Sequence, residues 1–216
     1  MNYKHLLISI VGAAALASSA HATVAYDADL IAPGVIYGTG NENGHFTVDT
    51  TDGVELGVRA HVHKQLASSP AGNLYRFALG DSISIDFSVH AFDFASLAGF
   101  TPLLTIHDLA NNHIQSFNPG LIPDNAISGP NAFQNSERLS FGFMDSLFNA
   151  NQNNTFKITL SLAQAGGDLR SVTAVVKQGA GASGAVPEPA AWALMILGFG
   201  GVGVALRRTR RTTALA

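Results

Sequence analysis

Two histidines, His61 and His63, stand two positions apart in the run VELGVRAHVH, where alternate residues share one face of a strand. Two imidazoles so placed can grip one metal ion, with Glu55 or His45 as a third ligand. Arg59 falls in the same row, however, and a guanidinium beside a divalent cation is repelled. A solvated strand face is the expected setting, with His61 and His63 as weak metal candidates. Hard oxygens of the kind calcium takes come from Asp27, Asp29, Asn41, Glu42, Asn43, Asp49 and Asp52. No segment has the spacing of an EF-hand loop or a glycine-rich calcium repeat. Asn and Asp are also what tight turns demand, so turn chemistry is the favoured reading and no cofactor is expected.

Groups for covalent or acid–base catalysis are sparse. No serine stands in a strained elbow, and Ser68 and Ser69 read as loop. The chain has no cysteine, which removes disulfides, thiolate metal sites and thiol nucleophiles. Asp86, Asp93 and Asp108 lie in or beside apparent strands, and a pair of them at the right separation would suit glycoside hydrolysis. Spacing along the chain does not place any two together. Exposed Trp or Tyr would serve a sugar platform, but the body offers only Tyr26, Tyr37 and Tyr75, and the sole tryptophan, Trp192, lies near the C-terminus.

The elements that must position these groups are strands. Period-two alternation runs through Val54, Leu56, Val58, Ala60 and Val62, and again through Ile83, Ile85, Phe87 and Val89. LSFGF (139–143), TFKITLSL (155–162) and SVTAVV (171–176) continue it, between turn clusters such as GTGNENG, SSPAGN, DNAISGPN and NANQNN. About eight strands with one buried and one wet face predict an all-β, antiparallel β-sandwich. Helix is scarce, with a single turn expected at ASLAG (95–99).

Charge separates this body from the ends. From Thr23 to Val186 there are seven basic and fourteen acidic residues, a net charge of −7. Phosphate backbones repel such a surface, so nucleic acid is not an expected partner. At the N-terminus, Lys4, an apolar run and then Ala20-His21-Ala22 have the form of a secretory signal peptide, predicting a helical signal over 1–22, export through the Sec machinery and cleavage before Thr23. The body spans 23–178, and GAGASGAV (179–186) is a flexible linker without a large side chain.

At the other end, residues 190–206 are 17 without a charge, long enough as a helix to reach about 26 Å across a hydrocarbon core at ~1.5 Å per residue. Trp192 suits the headgroup level, and Arg207, Arg208, Arg210 and Arg211 stop transfer on the cytoplasmic side. Pro187 and Pro189 hold Glu188 in an extended segment that cannot join the helix. A transmembrane helix thus closes the chain.

Pro187-Glu188-Pro189, Ala190-Ala191-Trp192-Ala193, the glycine-rich span and the arginine cluster, together residues 187–211, resemble the PEP-CTERM sorting signal in its PEPxxWA form. The resemblance implies a Gram-negative producer of exopolysaccharide and an exosortase, a membrane protease that removes the span and passes the body outside. DADLIAPGVIYGTGNENGHFTVDTTDGVELGVRAHVH (27–63), QNSERLSFGF and NTFKITLSLA resemble a group of PEP-CTERM proteins without an assigned activity. The function expected is an exported, exosortase-processed surface or extracellular-matrix protein without evident catalysis. The alternatives are a carbohydrate- or calcium-dependent module of the exopolysaccharide matrix, and a secreted hydrolase.

Overall fold

The computed structural model describes residues 23–31, 33–38, 41–141 and 148–181. The signal helix, the span, Ala20, Ala22 and the whole 187–211 signal lie outside the described residues. Among those described, no helix is long and apolar enough to cross a membrane.

Among the described residues, eleven strands form two sheets. They are β1 (Thr23–Ala28), β2 (Phe46–Thr51), β3 (Val54–Val62), β4 (Leu74–Phe77), β5 (Ile83–His90), β6 (Phe100–Asp108), β7 (His113–Phe117), β8 (Ala126–Ile127), β9 (Ala132–Arg138), β10 (Asn154–Gln164) and β11 (Leu169–Gln178). One sheet has six strands in the order β1-β2-β3-β5-β9-β8, and the other has five, β4-β11-β10-β6-β7. All pairings are antiparallel except β4 with β11, which run parallel, so the second sheet is mixed rather than purely antiparallel. Asp52 and Gly53 both take positive φ (47° and 73°) in the turn that joins β2 to β3, as the Asp-Gly type of tight hairpin requires.

One apolar core joins the two sheets. Val54, Leu56, Val58, Ile83, Ile85, Phe87 and Val89 come from the first, and Leu104, Ile106, Phe156, Ile158, Leu160, Val172 and Val176 from the second. In the five-stranded sheet, cross-strand rows such as Ile106–Ile158–Ala174 and Leu104–Leu160–Val172 stack the buried side chains. The opposite face carries hydroxyls, with Thr159 and Thr173 2.9 Å apart. Here one wet face and one buried face alternate as the sequence predicts. Tyr75 of β4 reaches the first sheet, its hydroxyl donating to the His45 carbonyl at 2.8 Å, and burial pushes the phenol pKa up to about 12.

Two local expectations are corrected. LSFGF is not a strand: β9 ends at Arg138 and Leu139 and Ser140 turn, while Phe143 lies outside the described residues. The strand is the polar stretch just before it, AFQNSER, buried through most of its length and therefore without an alternating pattern to read. ASLAG forms no helical turn; the described 3-10 turn is Pro119–Leu121, capped by Asn118, whose Oδ1 accepts from the Gly120 amide.

Replacing Ile158 by Ala is expected to lower the unfolding free energy by about 2–5 kcal/mol, whereas Lys157→Ala, one step along the same strand on the exposed face, should change it by less than ~0.5 kcal/mol. Urea unfolding followed by circular dichroism measures both.

Candidate functional site

The outer face of the six-stranded sheet, which faces away from the shared core, is not solvated. Glu55, Arg59 and His61 are only 1%, 2% and 6% exposed, which overturns the expected wet face. The physical reason is the segment between β1 and β2, whose described residues (29–31, 33–38 and 41–45) are laid across that face. Buried backbone needs partners, and side chains of the sheet supply them. Glu55 accepts from the Ile31 amide at 2.8 Å; Gln134 accepts from the Ile36 amide at 2.9 Å and donates to the Gly34 carbonyl at 2.8 Å. Within the segment, the Asn43 amide group pairs both ways with the Leu30 backbone, each bond 2.9 Å. Gly57 lets the segment come close, because a Cβ there would stand 2.5 Å from Leu30 Cδ2.

Arg59 is the centre. Register places Arg59, Asp86 and Ser136 side by side on β3, β5 and β9, with His61, Ser84 and Arg138 in the next row. Arg59 Nε donates to Asp86 Oδ2 at 2.6 Å, its Nη1 to the carbonyls of Glu42 (2.9 Å) and Gly44 (2.7 Å), and its Nη2 to the Tyr37 hydroxyl at 3.1 Å. The guanidinium also lies 4.3 Å from the centre of the Phe46 ring. His61 turns Nδ1 to the carbonyls of Val62 (2.9 Å) and Gln65 (2.8 Å) and Nε2 to Asp86 Oδ1 (3.1 Å). Only an imidazolium satisfies acceptors at both nitrogens. Burial works against that charge, but the Asp86 carboxylate and the two carbonyls outweigh it and hold the His61 pKa above its ordinary value. Burial likewise opposes ionisation of Asp86, yet the His61 and Arg59 cations and the Ser136 hydroxyl keep its carboxyl below the usual range.

This arrangement bears on the chemistries weighed from sequence. In a Ser-His-Asp relay the carboxylate and the hydroxyl meet opposite ring nitrogens. Here Asp86 and Ser136 (3.5 Å) approach the same Nε2, and backbone closes the other nitrogen. Of the metal candidates, His61 has both nitrogens engaged, Glu55 serves Ile31, and His45 Nδ1 pairs with Asp27 at 2.6 Å. His63 meets Ser84 Oγ at 3.2 Å. Among the described residues no group of three His, Cys, Asp or Glu is placed to hold a metal.

The acidic and amide residues mostly organise turns. Asn41 donates to the Tyr37 carbonyl, Asp49 accepts from the Thr51 hydroxyl, and Asp52 lies 3.7 Å from Arg170. Asp29 stands beside Gly44, and Glu42 contributes its carbonyl to Arg59. The three carboxylates considered for hydrolysis do not converge on one centre: Asp86 is held by Arg59, Asp93 packs against Gly53, and Asp108, at the end of β6 in the other sheet, accepts from Ala110, Asn111 and Asn154.

Sequence reading missed the Arg59–Asp86 pair. Its signal is two opposite charges, each within an alternating apolar run, with Gly57 two positions before Arg59. Glu137, on the other face of β9, is pushed up to about 7 by burial and then by the Asp124 charge.

At the end of the body, Gly179 and Ala180 donate their amides to the Phe77 carbonyl (2.8 Å) and Asn153 Oδ1 (2.9 Å). Beyond them, comparison with known proteins finds one family model, the PEP-CTERM protein-sorting motif, at residues 185–211. The match includes Pro187-Glu188-Pro189, Trp192 and the four arginines. Such a motif implies export, membrane-anchored transit and exosortase-mediated processing. No curated protein and no solved structure matches the chain.

Removing Asp86 leaves Arg59 buried without its counter-charge, so Asp86→Asn is expected to cost about 3–5 kcal/mol in urea unfolding. The pH dependence has two limbs. Asp86, lowered in the folded state, stabilises above its ordinary value of 3.8, and that contribution disappears as pH falls through its folded pKa. His61, raised in the folded state, stabilises fully below its ordinary value of 6.5, and that contribution is lost as pH rises through its folded pKa. Stability should therefore decline on the alkaline side of pH 6.5, and His61→Gln should flatten that decline.

Proposed function

We propose that the chain enters the Sec pathway, is held once in the inner membrane by residues 190–206, and is cut near Pro187-Glu188-Pro189 by an exosortase-type protease. The body, a β-sandwich, then resides at the cell surface or in the extracellular matrix and acts without catalysis. The observation that carries this reading is the sorting motif at residues 185–211. It follows a body whose described end, at Gly181, is pinned to its own fold. Further support comes from the body itself. Its buried charged centre is consumed in holding the 29–45 segment to the sheet.

A second reading, a module that binds exopolysaccharide, is favoured by one feature. An open cleft of about 400 Å³ lies beside His61, lined by Gly38 and Asn41 of the covering segment and by the end of β3.

Intact-mass measurement of the protein recovered outside the producing cell should show Thr23 as first residue and loss of everything after about Glu188. Pro187→Ala with Pro189→Ala should leave the full-length tail in the inner membrane. Recovery outside the cell of chains that still carry Arg207–Arg211 would sink the processing scheme.

A further inference from the structure

The cleft beside His61 combines features that the buried pair does not use. Its walls include Asn41 from the covering segment, His61, His63, Lys64 and Gln65 at the end of β3, and Ser136 on β9. Among the described residues that line it there is no Asp or Glu, on a body whose net charge is −7. Burial and then the positive charges of Arg138, Lys64 and His61 hold the His63 imidazole below its ordinary pKa, so three cations bear on this one ring. Nearby carboxylates do not cancel them. Asp86 is already shared between Arg59 and His61, and Glu137 lies on the opposite face of β9 and is held up at about 7. Arg138 rests its guanidinium 4.5 Å from the Phe141 ring centre, and its buried Nε has no hydrogen-bond partner.

Backbone conformation adds a second observation. Lys64 sits at φ 62°, in the left-handed region that glycine or asparagine enters at lower cost. A strained position at the lip of a cleft holds a cation where a neutral turn residue would be easier, which directs attention to the ammonium group. Around it, Asn41 and Gln65 carry amides and Ser136 a hydroxyl, groups that pair with alcohols in either direction. A volume of about 400 Å³ falls at the lower end of small-molecule sites, which run from about 300 to 1,000 Å³.

We propose that this cleft binds a small carboxylate rich in hydroxyls, either a free sugar acid or a uronate residue of a glycan. Lys64 is the counter-charge, His63 a donor to the carboxylate, and Asn41, Gln65 and Ser136 contact the hydroxyls. A polyanion as long as a nucleic acid meets the net negative charge of the rest of the body, whereas one carboxylate meets only the local surplus. The inference goes beyond the sorting scheme and does not rest on it, because binding is measured on purified protein wherever the cell delivers it.

The test is titration calorimetry and thermal unfolding of the full-length chain in non-ionic detergent at pH 6. The probes are sodium glucuronate, sodium gluconate, glucose, and sodium chloride at matched ionic strength. Glucuronate is expected to bind saturably and raise the Tm, as a ligand of the native state must, while glucose and chloride do neither. Gluconate binding as well as glucuronate would assign the site to sugar acids in general; with methyl glucuronide as a further probe, binding as tight as that of glucuronate would assign it to glycosidically linked uronate, and weaker binding to the free acid. Lys64→Asn, which suits the left-handed backbone and so preserves the fold, should weaken binding at least tenfold, and His63→Gln is the second variant, expected to weaken it less. Absence of saturable binding by both carboxylates, equal effects of glucose or chloride, or undiminished affinity in both variants would overturn the proposal.

Discussion

A guanidinium taken out of water must be surrounded by oxygen, and that requirement at Arg59 organises one whole side of this protein. Asp86 supplies a carboxylate from the neighbouring strand, but the remaining donors need acceptors from above the sheet. The carbonyls of Glu42 and Gly44 and the hydroxyl of Tyr37 provide them. The segment between β1 and β2 is thereby drawn over the sheet, and its own backbone is answered by Glu55 and Gln134. A small apolar patch of Leu30, Phe46 and Val48 packs beneath it. β3 and β5 are consequently covered on both faces, by hydrocarbon on one and by a hydrogen-bonded polar layer on the other.

This division explains what the sequence made legible. Where one face is wet, as in β10 and β11, alternation reads directly, and the strands around Ile158 and Val172 stand where the pattern puts them. Where a strand is covered on both faces by different chemistries, the pattern persists but its meaning changes. The row Glu55, Arg59, His61 looks identical in sequence whether water or a folded segment lies above it. β9 presents the extreme case: Gln134, Asn135 and Glu137 are buried although polar, Gln134 answered by Gly34 and Ile36 about 100 residues away and Asn135 by Glu137 and Asp124, so no apolar alternation marks them as strand. The parallel pairing of β4 with β11 is similarly a property of long-range topology, set about 100 residues apart along the chain.

The histidine pair illustrates how geometry reverses a chemical reading. Two imidazoles on one strand face suggest lone pairs for a cation. Asp86 and backbone carbonyls instead convert His61 into a cation itself, and its neighbours Lys64 and Arg138 add like charge. The proposed recognition of an anion would use the positive charges that this polar network leaves over at the end of β3.

The pinned end at Gly181 sets a leash. Between it and Ala190 residues 182–189 intervene, a reach of about 30 Å even when fully drawn out. Under the proposed anchoring, with Ala190 at the bilayer, the body would hang near the headgroups by the side that holds Gly179 and Ala180, formed by Phe77 and the loop at Asn153. A processing protease would then have to work within that headroom, beneath a folded domain. Cleavage near Glu188 would leave on the body a stub only a few residues long, too short to bridge to anything but an immediate neighbour.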